Sequence, residues 1–368
     1  MTVPKLNHKN VSRCRGFTLV ELLVVIGIIA LLISILLPAL TKARRSANTI
    51  ACMANLRSIV QAMIMYASQN NGYIPGGPQT SGAFLTAPPT AGGTIAWNPL
   101  FNANNCPGIT QTWDWESPIA AVMGVSFNQE GDLNSRMQRY NTLNTFGTFV
   151  CPENQFLSYE YNVTTGPVIP MGAYVTAMDF LLVDPPVTKK GPLSDADMQQ
   201  FANESYFILP SGYAPKVTKV GPPSTKIYIA EGGKYSTPNS QPNYDLTYNG
   251  ADIGGAFSDY GAYAEYSSGL NREAASGNVE TYSPGALDPR IYGFRHGNQS
   301  PFGKTGSYEF NAGFYDGHVE TLGDLEGADP AYWMPTGTEI ANTEITKDAQ
   351  IKYSSDPTGN GVGVTFVR

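Results

Sequence analysis

The sequence predicts an α+β fold in which a long N-terminal helix packs on an antiparallel β-sheet that carries large loop insertions. Three observations predict it: an apolar run at residues 17–40, a helical apolar stripe directly after it, and short strand patterns separated by turn residues. The chain has 368 residues, 42% of them hydrophobic, which is enough for a sizeable core. Its net charge of −7 argues against nucleic acid as a partner, because such proteins present a basic face.

The first forty residues combine a basic start with an apolar run. Residues 1–16 hold four basic side chains and no acidic one, whereas residues 17–40 hold a single charge, Glu21. An apolar helix of about 20 residues spans a bilayer, and no small-x-small cleavage site follows this one. The sequence therefore predicts a leader peptide at 1–16 and a transmembrane helix at 17–40. The basic leader favours a cytoplasmic N-terminus, with the bulk of the chain on the other side of the membrane.

The helix is predicted to continue as an amphipathic half over residues 41–72. An apolar stripe recurs there at spacings of three and four residues, at Met53, Leu56, Val60, Met63, Ile64 and Ala67. Asn70-Asn71-Gly72 is a C-cap signal, and Pro75 blocks further helix. We expect the stripe to pack on the sheet.

Residues 73–368 are predicted to form one globular α+β head, since no second domain boundary is evident. The predicted strands lie at residues 146–151, 173–183, 205–209 and 226–231. Residues 309–322 predict a C-terminal hairpin, because Asp316-Gly317 separates two alternating runs and both residues tolerate a positive φ.

The segment Arg15-Gly16-Phe17-Thr18-Leu19-Val20-Glu21 resembles the processing site of type IV pilins and type II secretion pseudopilins. The resemblance implies that a prepilin peptidase cuts between Gly16 and Phe17 and that Phe17 becomes the methylated N-terminal residue. It also implies that Glu21 pairs with the N-terminal amine of a neighbouring subunit. A carboxylate in an apolar span is costly and is usually functional, which agrees with that role. Pro38 falls where pilins often carry a helix-kinking proline.

The resemblance implies a non-enzymatic structural subunit of a type IV pilus-like or type II secretion pseudopilus fibre. Its partners would be prepilin peptidase, other pilin or pseudopilin subunits and the membrane. It would be a single-pass inner-membrane protein, with a head in the periplasm or, after assembly, at the cell surface. The alternative is a membrane-anchored surface module that binds carbohydrate, or a hydrolase, exported by the same signal. The large head and the segment Trp113-Asp114-Trp115-Glu116 motivate that alternative.

Four further segments resemble prepilin-like proteins of planctomycete-type bacteria, whose C-terminal domain is named for a His, nine residues and Asp-Gly. The segments are Cys52-x-x-Asn55-Leu56-Arg57, Asn70-Asn71-Gly72-Tyr73-Ile74-Pro75, Cys151-Pro152 and Phe314-Tyr315-Asp316-Gly317-His318-Val319. The histidine element would be Arg295-His296-Gly297. Here 19 residues separate His296 from Asp316, which implies an insertion of about ten residues.

Few residues suggest chemistry. His296, Asp316 and His318 are a candidate metal set, but a turn motif of His296, Asp316 and Gly317 is the favoured interpretation, because no zinc-type spacing exists. We expect no cofactor, with loop-bound calcium the mild exception; its candidate ligands are Asp252, Asp259 and Asp316.

The cysteines allow one disulfide after processing. Cys14 leaves with the leader, so Cys52, Cys106 and Cys151 remain, with three possible pairs. We favour Cys106–Cys151, because Cys52 is expected to be buried in the packing of the stem helix.

Overall fold

The computed structural model describes residues 18–77, 110, 113–130, 133–154, 157–159, 168–170, 172–182, 207–233, 257–264, 270, 293–297, 306–355 and 358–368. The described residues up to 47 form one compact unit, and those from 48 to 368 form a second, the head. The predicted α+β class is confirmed, with a long N-terminal helix and mostly antiparallel sheets.

Helix α1 runs from Leu19 to Gln69 and continues across Pro38. Its end is the predicted one. Asn71 and Gly72 adopt φ values of 53° and 81°, and the Gly72 N–H donates to the Ala67 carbonyl at 2.8 Å. This left-handed C-terminal geometry explains why Asn and Gly occupy the two positions.

The apolar stripe of the second half of α1 is confirmed with one shift. Leu56, Val60, Met63 and Ala67 are buried, but Ile64 is 41% exposed. The buried face also contains three residues outside the predicted stripe, Cys52, Ile59 and Ala62. The face that packs is therefore rotated slightly from the face that the spacing indicated.

The main sheet of the head has six strands, and β8 is its centre. The strand order is β6-β3-β5-β8-β7, with β9 on the other edge of β8. All pairs are antiparallel except β3 with β6. The strands are β3 (Tyr174–Ala177), β5 (Ile227–Glu231), β6 (Ser258–Asp259), β7 (His296–Gly297), β8 (Tyr308–Phe314) and β9 (Val319–Gly323).

Two smaller sheets and three short helices complete the described head. Strands β1 (Leu157–Tyr159) and β2 (Val168–Pro170) pair with each other. Strand β10 (Glu339–Ala341) lies between β4 (Phe207–Ile208) and β11 (Val364–Phe366). The short helices are α2 (Glu116–Val122), α3 (Leu133–Thr145) and α4 (Lys347–Tyr353).

The strand predictions had mixed outcomes. The strand expected at residues 226–231 is β5, and the one at 205–209 is the short β4. The strand expected at 146–151 was wrong, because Gly147–Phe149 forms a 3₁₀ turn. The strand expected at 173–183 is confirmed only over β3, because the following residues, Met178–Leu181, also form a 3₁₀ turn. Burial on both faces removes the alternation that marks a strand and leaves a continuous apolar run.

The C-terminal hairpin is confirmed, and its loop has three residues. Strands β8 and β9 pair from Glu309↔Gly323 to Gly313↔Val319. The Gly317 N–H donates to the Phe314 carbonyl at 3.0 Å, and the Phe314 N–H donates to the His318 carbonyl at 3.0 Å. Gly317 has a φ of 98°, whereas Asp316 has none in the positive range. The loop is therefore a turn closed by a left-handed glycine.

Helix α1 lies directly against the central strand at Gly313. A Cβ atom at this position would lie 2.6 Å from Val60 Cγ2 and 3.2 Å from Ile229 Cγ2. The strand has no side chain at the point of contact, so the helix can approach its backbone closely. Glycine is required here because there is no room for a side chain. Its φ lies in the range that other residues also adopt.

Candidate functional site

The start of helix α1 carries a reciprocal pair of hydrogen bonds between Thr18 and Glu21. The Thr18 N–H and hydroxyl donate to Glu21 Oε2 at 2.9 and 2.8 Å, and the Glu21 N–H donates to Thr18 Oγ1 at 3.2 Å. This is a capping box, in which each side chain satisfies backbone donors of the first turn. The sequence signal Thr-x-x-Glu was present at residues 18–21, but sequence reasoning missed it.

The first half of α1 presents apolar side chains on every side. From Leu19 to Leu40 each described side chain is exposed, and sixteen of them are large and hydrophobic. Among the described residues, α1 is the one helix long and apolar enough to cross a membrane. The predicted cleavage residues Gly16 and Phe17 lie outside the described residues.

The head contains a buried polar cluster around Glu231, at the end of β5. His296 Nε2 lies 3.0 Å from each carboxylate oxygen of Glu231. The Asn311 N–H donates to Glu231 Oε2 at 2.9 Å, and the Asn311 side-chain amide donates to Oε1 at 3.3 Å. Glu231 and Asn311 are fully buried and His296 is 4% exposed, so the pairs are shielded from water.

The sheet topology explains why these residues meet. Strands β5 and β7 pair with different ends of the same edge of β8, since β9 occupies the other edge. The last residue of β5, Glu231, therefore lies beside the first residue of β7, His296. Close approach of the two segments requires Gly293, where an added Cβ would lie 2.5 Å from the Glu231 carbonyl oxygen.

Helix α1 closes the cluster from the other side. Thr49 Oγ1 lies 3.0 Å from His296 Nδ1. Burial of the imidazole disfavours its charged form, but the charge and hydrogen bond of Glu231, helped by Glu153, outweigh that effect. The pKa of His296 is therefore raised above its ordinary value. When the imidazole is protonated, it and the carboxylate form a buried ion pair.

The disulfide joins α1 to this cluster. Cys52 is bonded to Cys151, 99 residues further along the chain. The preference for Cys106–Cys151 was therefore wrong, and Cys106 lies outside the described residues. Cys52 is buried as expected, but its burial places it against Cys151 rather than apart from it. Cys151 Sγ lies 3.2 Å from Glu231 Oε1, at the edge of the ion pair.

The candidate metal set of His296, Asp316 and His318 does not come together. His318 Nδ1 bonds the Asp316 carboxylate, and the His318 ring stacks on Phe314 with a centroid distance of 4.1 Å. These contacts stabilise the hairpin loop. Burial raises the pKa of Asp316, but the hydrogen bonds and the charge of His318 together outweigh burial, so the pKa is lowered. His296 is a strand residue in the cluster and takes no part in that turn, so its place in the turn motif was wrong. Of the calcium candidates, Asp252 lies outside the described residues, and Asp259 caps the Tyr260 N–H at 2.8 Å.

The tryptophan segment is part of the core. Trp113, Asp114, Trp115 and Glu116 are all at most 4% exposed. Trp115 packs edge-to-face on Phe149 and Tyr228, so its ring faces are covered. Burial raises the pKa of Glu116 well above its ordinary value, and nearby Asp114 adds to the effect. This segment offers no surface for stacking a sugar ring.

Comparison with known proteins places a known motif at the N-terminus. Residues 11–37 match the prokaryotic N-terminal methylation motif. The chain is 48% identical over 59 residues to the type IV wide pilus major component PilA4 of Thermus thermophilus. That match covers 16% of this chain and 45% of the relative, so the chain spans less than half the length of the curated relative it matches. No solved structure matches the chain. The N-terminal segment of the chain is therefore similar to that of a type IV pilin, and it precedes a head of α+β fold.

Proposed function

We propose that this chain is a structural subunit of a type IV pilus-like or type II secretion pseudopilus fibre. Prepilin peptidase would cut it after Gly16 and methylate Phe17. The exposed apolar half of α1 would hold the subunit in the inner membrane and then in the fibre, among the helices of other subunits. The head would lie in the periplasm or at the cell surface, and the chain would have no catalytic role.

The observation that carries the proposal is the exposed apolar helix, whose first residues belong to the methylation motif at residues 11–37. The sixteen large hydrophobic side chains from Leu19 to Leu40 are exposed among the described residues, so they require either lipid or other helices around them. A fibre of packed helices supplies the second environment after the membrane has supplied the first. The same helix needs no change of secondary structure between the two.

Glu21 has two candidate partners, and the proposal depends on the exchange between them. In the single chain its carboxylate accepts hydrogen bonds from Thr18. Cleavage after Gly16 would create a positively charged amine at Phe17, close in sequence to this carboxylate. In a fibre, an amine from a neighbouring subunit offers Glu21 a charge partner in an apolar environment, where an ion pair gains most from direct contact.

The alternative of a carbohydrate-binding module or hydrolase has lost one of its two motives, because Trp113–Glu116 is buried, and the size of the head alone favours no particular ligand. We therefore propose assembly alone.

The processing step is tested with two glycine substitutions in one helix. Gly16→Ala should leave the leader attached in cells that contain prepilin peptidase. Gly27→Ala is the matched control, because outside the adjacent helix backbone no atom of the described residues lies within 4 Å of a Cβ at Gly27. The mass of the N-terminal peptide is the measurement. Wild type and Gly27→Ala should begin at methylated Phe17; an unprocessed wild-type chain would contradict the proposal.

The assembly step is tested by separating the two partners of Glu21. Glu21→Gln keeps hydrogen-bonding capacity but removes the charge, and Thr18→Val removes the side-chain half of the capping box. If Glu21 pairs with an amine, Glu21→Gln should abolish fibres while Thr18→Val retains them. Fibres are counted in sheared cell-surface material by electron microscopy. Abundant fibres from Glu21→Gln would refute the charge-pairing role, and wild-type fibres on the surface would favour a pilus over a pseudopilus.

A further inference from the structure

The buried cluster of the head contains four potential metal ligands, contributed by four different segments. Cys52 lies on α1, Cys151 follows the Gly147–Phe149 turn, Glu231 ends β5 and His296 begins β7. One ligand atom from each residue lies within 4.8 Å of all the others, and all four residues are buried. None of the proposed steps of fibre assembly uses them.

We propose that the head binds one Zn²⁺ ion through Cys52, Cys151, Glu231 and His296 when the Cys52–Cys151 disulfide is reduced. The disulfide and the metal would be alternative cross-links of the same four segments. In the oxidised form the two sulfur atoms are bonded to each other. In the reduced form two thiolates, one carboxylate oxygen and one imidazole nitrogen would surround the ion.

The donor set fits zinc. Zn²⁺ takes four ligands in a tetrahedron from Cys, His and carboxylate side chains. Two ligand pairs already lie near the separations of such a shell: Glu231 Oε1 is 3.0 Å from His296 Nε2 and 3.2 Å from Cys151 Sγ. Calcium would require six to eight oxygen ligands. Because the four residues are buried, no position stays open for water, which is typical of a structural zinc site.

Outer contacts orient the histidine and carboxylate ligands. Thr49 Oγ1 lies 3.0 Å from His296 Nδ1, so a proton on Nδ1 can bond to the threonine while the Nε2 lone pair faces the ion. Glu231 Oε2 accepts the Asn311 N–H at 2.9 Å, which leaves Oε1 turned towards Cys151. Such second partners hold metal ligands in place before the ion arrives.

The local charge also favours the ion. Two thiolates and one carboxylate around Zn²⁺ carry a net charge of −1. Arg295, buried beside His296, interacts electrostatically with Glu231 and compensates that charge. A buried anionic zinc centre next to a buried guanidinium is therefore close to neutral as a whole.

The redox step requires a dithiol reductant. Its two thiols reduce the Cys52–Cys151 bond by exchange, which yields two cysteine thiols and the oxidised, cyclic disulfide of the reductant. Zinc binding then displaces one proton from each cysteine, and also the Nε2 proton of His296 where the imidazole is protonated; all of these protons go to solvent. Reoxidation by a disulfide oxidant reverses the sequence and expels the ion.

Cobalt titration of the full-length chain in detergent micelles tests the proposal. Cys14→Ser/Cys106→Ser is the background, so that Cys52 and Cys151 are the remaining cysteines. The protein is reduced with a dithiol, freed of reductant and metal without oxygen, and titrated with Co²⁺. We expect one equivalent to give the absorption of tetrahedral cobalt thiolate, and Zn²⁺ to displace it. The oxidised protein should give none.

Variants distinguish a four-ligand site from adventitious thiol binding. His296→Gln and Glu231→Gln should each lower the affinity for Co²⁺ at least tenfold. Thr49→Val, which removes only an outer contact, should lower it by about tenfold. His318→Gln is the matched control and should change nothing, because His318 lies in the hairpin loop. Near-ultraviolet circular dichroism shows whether each reduced protein is folded.

Three outcomes would overturn the proposal. One is a reduced background protein that binds no Co²⁺. Another is a cobalt spectrum unchanged by both His296→Gln and Glu231→Gln, which would indicate binding by the thiols alone. The third is binding that occurs only when circular dichroism shows an unfolded head. None of these readouts depends on processing or fibre assembly, so failure here leaves the proposed function unaffected.

Discussion

The two halves of helix α1 are one continuous helix in two opposite environments. Between Leu19 and Ala47 each described side chain is exposed, whereas seven side chains between Cys52 and Ala67 are buried in the head. The first half is apolar almost throughout, and the second is apolar along one face. The second half packs within the head, and under the proposed function the first half contacts lipid or the helices of other subunits. Folding stability should therefore respond to the second half alone.

The disulfide gives the largest expected effect. Replacing both partners, Cys52→Ser/Cys151→Ser, releases a loop of about 100 residues, for which chain entropy predicts about 4.7 kcal/mol of lost stability. Urea unfolding of the full chain in detergent, followed by tryptophan fluorescence, measures it, since Trp113, Trp115 and Trp333 are buried in the head. A dithiol reductant should destabilise the wild type and leave the double variant unchanged. If the reductant destabilised both proteins equally, the Cys52–Cys151 disulfide would be contradicted.

Two leucines in α1 test the contrast between its halves directly. Leu56 is fully buried, so Leu56→Ala should cost about 3 kcal/mol through lost burial and a residual cavity. Leu32 is 55% exposed, so Leu32→Ala should change the stability of the head by less than about 0.5 kcal/mol. Among variants that fold, Leu32→Ala should lower the yield of sheared fibres more than Leu56→Ala does. A large loss of head stability in Leu32→Ala would contradict the claim that only the second half of α1 contributes to folding stability.

The helix–sheet contact predicts a smaller effect at Gly313. Gly313→Ala places a methyl group 2.6 Å from Val60 Cγ2, and the resulting overpacking should cost about 1–3 kcal/mol. Gly323→Ala is the control in the paired strand, where the nearest side-chain atom lies at 3.9 Å. Urea midpoints of the two variants give the result. Equal midpoints would mean that α1 does not press on β8 at this point.

The last expected effect depends on pH and concerns the buried Lys226 ammonium. Its Nζ donates to the Ala331 and Arg368 carbonyls at 2.7 and 3.0 Å, but burial outweighs the attraction of Asp329 and lowers its pKa to about 8. Because the unfolded chain holds this proton up to about pH 10.4, the stability of the wild type relative to Lys226→Met should rise as the pH increases from 8 to 10.4. If the stability difference between the wild type and Lys226→Met stayed constant or fell between pH 8 and 10.4, the lowered pKa of Lys226 would be refuted.

Local sequence patterns were sufficient to predict those elements whose geometry depends on residues adjacent in the chain. Asn71-Gly72 ended α1 because few other residues adopt a left-handed φ. Asp316-Gly317 indicated the hairpin for the same reason, although only the glycine takes the positive φ. The Leu19–Leu40 span followed from composition, because hydrophobic length needs no tertiary information.

The pairings between distant segments were decided by tertiary structure. Cys52 and Cys151 are 99 residues apart, and nothing in their local sequence distinguishes that pair from Cys106–Cys151. Glu231 was one of 30 acidic residues until β5 and β7 met on one edge of β8 beside His296. Sequence periodicity reports which face of an element is apolar, whereas strand order and helix placement decide which buried polar groups become partners. For this reason the membrane helix could be read from the sequence, and the candidate zinc cluster only from the fold.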